Sequence, residues 1–516
     1  MKNLQKSKKL IYLFTAILTF CMFCPERILA VTNKYRISWR DNPSTTMVIG
    51  WAQVSGSSPT VHYGTTDQGT NYQLYTSSQT PNRTVTDKGL NHNFVRLTGL
   101  MPNTSYYFVI RDSEGTSKRL WFKTAPDSPT ERLSLIAGGD SRNNAVPRRN
   151  GNKMVAKLRP HAVLFGGDMT DQSTDSEWKE WLDDWQLTIG ADGRMIPIIA
   201  ERGNHDKNPD MVNIFDVPSA EVYYALSLGG SLLRVYTLNS EISVAGNQTS
   251  WLKSDLEANT NTQWKIAQYH RPMRPHVSSK VDRNDIVANW EPLFYQHGVK
   301  LVVESDAHCV KSTYPIRASS ASGNVQGFVR DQEKGVTYIG EGCWGAPLRT
   351  VDKAKSWTRN SDKFNHFTWI FIDQEKIEVR YVKIDNADNV GTVSDANIFA
   401  SPSNINIWAP SNGAVVTVYP NPGMTVKIDE EANEVNSTLI KSYPNPAEEF
   451  INIELDEKIS GGLVKILDIT GKSIQTDISY VDKNKLVVKT QDLIPGIYFI
   501  TIESEGKVET QKILIK

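Results

Sequence analysis

Along much of the chain, apolar and polar residues alternate at a period of two, in short runs broken by Gly, Asn, Asp and Ser. Such alternation predicts half-buried strands. It recurs at 34–39, 46–51, 60–64, 93–97, 106–110 and 120–124, so residues 31–126 read as a β-sandwich. From 131 to 385 the pattern changes. Short, wholly apolar runs, which suit fully buried strands, take turns with stretches of helical period. Trp178, Trp181, Leu182 and Trp185 fall at three- and four-residue steps and give one helix an apolar face for the core. The segment 250–256 reads as another helix. Strands alternating with helices call for α/β layers. Residues 386–437, rich in Asn, Ser, Pro and Asp, read as a linker with some strand. From 438 to 516 short strand-like runs return, at 451–455, 464–471, 496–500 and 512–516, and predict a second, smaller β-sandwich.

The chemistry sits at the ends of the central apolar runs. The run at 133–139 leads into Asp140, and that at 163–167 into Asp168. The run at 196–203 leads into Asn204, His205 and Asp206. The runs at 264–269 and 300–305 lead into His270, and into Asp306 and His308. Carboxylates, an amide and imidazoles gathered at strand ends suit a metal site, because sheet enzymes place their chemistry outside the strand ends.

The order and spelling of these blocks, Gly139-Asp140, Gly167-Asp168, Gly203-Asn204-His205-Asp206, His270 and Asp306-x-His308, resemble the calcineurin-like metallophosphoesterases. A sandwich ahead of such a domain, with the corner residues Leu100, Pro102, Thr104 and Tyr106, is similar to the purple acid phosphatases, whose N-terminal domain is of fibronectin type III kind. The resemblance implies an αββα sandwich that holds two metal ions of the divalent or Fe, Zn or Mn type. It implies hydrolysis of phosphate monoesters by water activated on those ions. By the same resemblance Asp168 bridges the ions, Asp140 and His308 bind one, and Asn204 and His270 bind the other. His205 contacts the phosphate or protonates the leaving group, with Asp206 orienting it. Two alternatives stay open: a phosphodiesterase of the same fold, and a cell-surface binding protein with a degenerate site.

Three positions depart from the family. Asp171 stands where purple acid phosphatases have a tyrosine ligand, so the phenolate colour should be absent, and Asp171 is itself a candidate ligand. Arg142 stands where the wider family often has His; it cannot bind a cation, but its planar fork suits a phosphate oxygen. Asp306 replaces the first His of the last block, and as an oxygen ligand it favours Mn, Fe or Mg. His276, six residues after His270, is within reach of a leaving-group acid's role, and Arg271 is a candidate for lining the anion pocket. His62, His92, His161, His297 and His366 read as ordinary surface or core residues.

Residues 1–30 read as an export signal, with Lys2, Lys6, Lys8 and Lys9 before an apolar core at 11–24; a retained anchor is the alternative. At the other end, Tyr443-Pro444-Asn445-Pro446, the turn at 468–471, the strand at 496–500 and the Lys-rich terminus resemble the C-terminal sorting domain of type IX secretion cargo in Bacteroidota. Together these imply passage through the periplasm to the outer-membrane surface or the medium, with the secretion machinery as partner. Two of the four cysteines fall in the leader, leaving Cys309 and Cys343 either paired or as buried thiols. Basic and acidic side chains are equal at 57 each, with no basic block, which excludes a nucleic-acid scaffold as partner. The expected substrate is a phosphorylated small molecule or phosphoprotein, and the sequence leaves the oligomeric state undetermined.

Overall fold

The computed structural model describes residues 31–421, 440–457, 460–468, 472–504 and 507–516. The expected leader at 1–30, residues 422–437 of the expected linker and most of the turn at 468–471 lie outside the described residues. The chain forms two compact units, Met1–Val426 and Lys427–Lys516.

The first unit opens with two facing four-stranded antiparallel sheets. One contains Thr32–Ser38, Met47–Gln53, Leu90–Leu97 and Arg83–Asp87, and the other Ser77–Gln79, Thr60–Gly64, Ser105–Arg111 and Leu120–Lys123. Period-two alternation buries Trp39, Trp51, Phe108 and Phe122 between them. At the expected corner, the Met101 N–H donates to the Tyr106 hydroxyl at 2.9 Å.

The central layers are two seven-stranded sheets. The first runs Ile198–Ala200, Ala162–Phe165, Leu133–Gly138, His366–Ile372, Ile377–Lys383, and its first three strands are parallel. The second runs Tyr224–Leu228, Leu233–Thr237, Trp264–Tyr269, Val299–Glu304, Thr337–Gly340, Val310–Thr313, Thr358–Asp362. Alternate residues of this sheet face opposite ways. Val235, Ile266, Leu301 and Val303 join the core shared with the first sheet, whereas Tyr236, Ala267 and Val302 pack under the helices Asn247–Ala258, Asn284–Asn289 and Glu291–Gln296. The helices Ala145–Leu158 and Asp175–Trp185 cover the first sheet, completing an αββα sandwich. Helix Asp175–Trp185 starts on a capping box of Thr174 and Glu177. Its tryptophan face packs inward, with Trp181 stacked on Trp185 at 5.1 Å.

The segment read as a linker with some strand holds two short strands in its described part. Asn406–Ile407 and Val415–Val418 pair with Ile377–Lys383, and Ala387, Val390, Val416 and Val418 are buried in the shared core. A largely polar composition is compatible with such edge strands because only alternate residues face the core.

The N-terminal sandwich is bolted to the central layers by charge. Asp216, at the end of helix Asn208–Phe215, receives Arg96 at 2.8 Å, Arg83 at 3.2 Å and Arg40 at 3.4 Å. Lys88 reaches Asp210 at 2.9 Å and the Ser173 carbonyl at 2.8 Å.

The second unit is a small sandwich with its own core. Its sheets are Ile440–Tyr443, Phe450–Leu455, Lys485–Lys489, Ile478–Asp482 and Ser473–Ile474, Leu463–Asp468, Gly496–Ser504, Lys507–Ile515. Ile451, Ile453, Val488, Ile500 and Ile502 are fully buried between them. Among the described residues no helix is long and apolar enough to cross a membrane.

Trp181 is buried among aromatic neighbours, and its indole N–H also donates to Ser141 Oγ at 3.0 Å, beside Asp140. Trp181→Ala is expected to destabilise the first unit by about 3–5 kcal/mol. Urea unfolding followed by fluorescence measures it; a loss below about 1 kcal/mol would mean that the tryptophan layer does not anchor this helix.

Candidate metal centre

Each candidate donor follows a strand. Asp140 lies just beyond Leu133–Gly138, Asp168 beyond Ala162–Phe165, and Asn204 beyond Ile198–Ala200. His270 directly follows Trp264–Tyr269, and Asp306 and His308 follow Val299–Glu304. The first sheet therefore supplies two carboxylates and the amide, and the second supplies both imidazoles and the third carboxylate. They converge into two overlapping groups, Asp140, Asp168, His308 and Asp168, His270, Asp306, with the donor atoms of each group within 4.8 Å of one another. Asp168 is common to both. His308 Nε2 lies 3.0 Å from Asp140 Oδ1, and His270 Nε2 lies 3.3 Å from Asp168 Oδ1 and 3.2 Å from Asn204 Oδ1.

The imidazoles are aimed by their other nitrogens. His270 Nδ1–H donates to the Gly166 carbonyl at 2.8 Å, and His308 Nδ1–H donates to the Pro347 carbonyl at 2.9 Å. A carbonyl only accepts, so Nδ1 carries a proton in each ring and each Nε2 is left facing the cluster, where it would offer a lone pair to a cation.

The backbone gives up ease of folding to make this arrangement. Asp140, Arg142, Asp168, Asp306 and His308 all adopt positive φ, between 43° and 64°. Left-handed backbone at residues other than glycine is uncommon, and clusters of it mark functional sites. Close glycines leave room for the carboxylates. A Cβ on Gly342 would fall 1.7 Å from Asp140 Oδ2, and one on Gly203 would fall 2.2 Å from Asp168 Oδ1.

The donor set suits cations. Asp140, Asp168 and Asp306 are at most 3% exposed, and buried carboxylates at this spacing require positive charge between them. Neighbouring side chains supply part of it. Burial opposes a charge on His270, yet Asp168, Asp140 and Asp306 raise its pKa well above the ordinary value. Burial likewise opposes the charge on Asp168, while His270 and His205 hold its carboxyl low. Arg142 donates to Asp168 Oδ2 at 3.1 Å, and the Lys280 ammonium contacts Asp306 Oδ1.

Several expected residues stand elsewhere. Asp171 belongs to neither donor group; its side chain is 37% exposed and is paired with Arg142 at 3.1 Å. Asp206 does not orient His205. It accepts the backbone N–H groups of Asp168 at 2.6 Å, Gly203 at 2.9 Å and Met169 at 3.2 Å, tying two donor loops together. Burial and the charge of Asp168 push its carboxyl up to about 7. The His205 ring is held instead by the Asp171 carbonyl, with Nε2 3.8 Å from Asp168. His276 is fully buried, bonded to Thr358 Oγ1 at 2.7 Å and 3.6 Å from Glu341, so it is not exposed toward a substrate. Arg271 is clamped by Glu241 at 2.8 Å. Cys309 and Cys343 are free, buried thiols.

Sequence patterning missed a buried ionic knot beneath the centre. Lys311, with a side chain 2% exposed, contacts both Glu304 and Glu341. Glu304 also accepts the Tyr269 hydroxyl at 2.7 Å, and Glu341 accepts the Cys309 thiol at 3.1 Å. The knot bears on the site because the Glu341 carbonyl accepts the His308 N–H at 2.7 Å. Glu201 is also buried, and burial raises its pKa, which favours the neutral acid. The partners of Lys311 lie 7 and 30 residues away in the chain, so no local pattern marks them.

The geometry agrees with the comparisons. Residues 32–124 match the family model for the purple acid phosphatase N-terminal domain, 143–310 that for calcineurin-like phosphoesterases, and 441–516 that for the secretion system C-terminal sorting domain. An uncharacterized protein of Mycobacterium tuberculosis strain H37Rv is 23% identical over 335 residues, 54% of this chain and 61% of that protein. The chain thus spans about three-fifths of that relative's length. Among solved structures, a purple acid phosphatase from yellow lupin seeds superposes with a TM-score of 0.59 at 15% identity, covering 72% of this chain and 76% of the lupin chain. A PhoD structure superposes with a TM-score of 0.51 at 11% identity, covering 67% and 86%. The chain thus carries a region matching the calcineurin-like phosphoesterases between regions matching the purple acid phosphatase N-terminal domain and the secretion sorting domain, and these matches support a metal-dependent phosphoesterase.

Lys311→Met leaves two carboxylates buried without their cation and is expected to cost about 3–5 kcal/mol. Adding Glu341→Gln should recover part of that loss, because it removes one of the stranded charges. Thermal unfolding of the single and double variants decides it; additive losses would dissolve the knot as a coupled unit.

Proposed function

We propose that this chain is an exported binuclear-metal phosphoesterase that hydrolyses phosphate monoesters. The observation that carries this reading is the position of Asp168 as the shared member of two buried donor groups. In this assignment Asp140 and His308 hold one ion, Asn204, His270 and Asp306 hold the other, and Asp168 serves both. The ions, when bound, neutralise phosphoryl charge and acidify a water. The rest falls to the chain. Arg142 turns a guanidinium edge toward a phosphate oxygen, and its side chain is already held at the rim by Asp171 at 3.1 Å. His205, 24% exposed at the same rim, faces the leaving group or phosphate with its Nε2. Asp206 keeps the loops of Asp168 and Asn204 in register, and His276 helps to hold the core below. Oxygen donors outnumber nitrogen donors, which favours Mn, Fe or Mg over a soft-ligand preference.

A second reading, a binding protein with a degenerate centre, draws on the Lys280 contact with Asp306. Metal content separates the two. The purified protein should hold about two ions per chain, and Asp168→Ala should lose at least one of them and lower p-nitrophenyl phosphate hydrolysis by more than about 1,000-fold. A metal-free wild type favours the binder; wild-type turnover by Asp168→Ala at full metal content removes Asp168 from the site.

The sorting domain marks the product for the cell surface or the medium, with the type IX machinery as partner. Its core is its own. Deleting 438–516 is therefore expected to leave an active enzyme in the periplasm. Fractionation with an activity assay tests this. Normal surface delivery of the truncated chain would defeat the sorting role, and loss of activity in vitro would tie the last domain to the catalytic fold.

A further inference from the structure

We propose that Lys280 is the specificity-determining cation of this centre, selecting dianionic phosphate monoesters over monoanionic diesters; the inference rests on the phosphoesterase reading above. Lys280 is no part of the motif blocks. It lies on the loop that leaves His270, and that loop is fastened along its length. The His276 N–H donates to Glu341 at 3.2 Å, and the Ser278 N–H and hydroxyl donate to Asp352 at 2.7 and 2.5 Å. The Arg283 N–H donates to the Met273 carbonyl at 3.0 Å. Val277 packs against Ala307 and Cys309, the two residues that flank His308. The loop is thus built to hold the Lys280 ammonium over the centre. The side chain is 19% exposed, and its one ion pair among the described residues is with Asp306 Oδ1.

The charges around the centre show what the ammonium is for. Arg142 has a second carboxylate, Asp171, that keeps it paired when Asp168 serves a cation. Lys280 has no such second partner among the described residues. Once Asp306 gives its charge to an ion, the ammonium is left at the rim, largely buried and facing the centre. A terminal phosphate brings the charge that completes it. A monoester carries two negative charges and three free oxygens near neutral pH. A diester carries one charge, and an alkyl group caps the oxygen that would meet the lysine. A compact ammonium with three rotatable donors suits a terminal phosphoryl oxygen.

The test uses the mature full-length protein loaded with Mn2+, in wild-type, Lys280→Met and Lys280→Arg forms. Calorimetry measures binding of orthophosphate and of dimethyl phosphate, and kcat/KM is measured for p-nitrophenyl phosphate and bis(p-nitrophenyl) phosphate. Lys280→Met is expected to weaken orthophosphate about 10- to 100-fold while changing dimethyl phosphate less than about 3-fold, since only the dianion loses a charge-assisted bond. The monoester-to-diester ratio of kcat/KM should fall by the same factor, and Lys280→Arg should keep most of the orthophosphate affinity. Equal loss of both ligands, or no loss of orthophosphate, overturns the proposal. So does tighter Mn2+ binding in Lys280→Met with phosphate unaffected, which would make the lysine a competitor of the ion. A loaded wild type that binds orthophosphate but cleaves neither ester defeats the phosphoesterase reading, while the two binding titrations still decide the role of Lys280.

Discussion

Three carboxylates, Asp140, Asp168 and Asp306, are held together out of water, and the rest of the central domain is arranged around that constraint. Charges of one sign this close are tolerable only with cations among them. The chain meets the requirement by bringing two sheets face to face so that their strand ends converge. It twists the backbone to positive φ at each of the three and keeps glycines at 203 and 342 where any side chain would strike a carboxylate. The two histidines complete the arrangement, each fixed through Nδ1 by a carbonyl.

A site under such tension needs a stiff surround. Beneath it, Lys311 draws Glu304 and Glu341 together, and these two residues sit one step from Ser305 and within the stretch that holds His308. At its side, the N-terminal sandwich contributes through Lys88, which reaches both Asp210 and the Ser173 carbonyl on the loop that follows Asp171. The tryptophan face of helix Asp175–Trp185 closes the layer and reaches Ser141 with an indole N–H at 3.0 Å. These supports differ in chemistry but act on the same loops.

The strands and the donors were legible because both signals are local. A buried strand writes itself as an apolar run, and a ligand at its end is the next polar residue. What the runs cannot state is which distant group a polar residue meets. Asp206 follows His205, yet it serves the backbone of Asp168 and Gly203. His276 lies close after His270, yet the loop turns it inward to Thr358. Lys311 carries no local signal of its role because its partners lie 7 and 30 residues away. In the segment after 386, read as a linker with some strand, the few apolar residues dock on an edge already formed by Ile377–Lys383, a pairing that composition does not record.

The departures from the family pattern follow one logic once charge is counted. Replacing a tyrosine by Asp171 and a histidine by Asp306 adds two acidic side chains around a centre already rich in carboxylates. Each of them stands beside a cation: Asp171 with Arg142 at 3.1 Å, and Asp306 in contact with Lys280. Arg142 itself occupies a position where the wider family often has a ligand. The substitutions therefore place an acid–base pair at each position, Asp171 with Arg142 and Asp306 with Lys280. Asp306 is a harder donor than the histidine it replaces, and Arg142 and Lys280 stand at the rim of the centre. A degenerate centre would be expected to lose donors without gaining matched partners. Here each of the two added acids, Asp171 and Asp306, stands beside a basic side chain, which is not the pattern of simple donor loss.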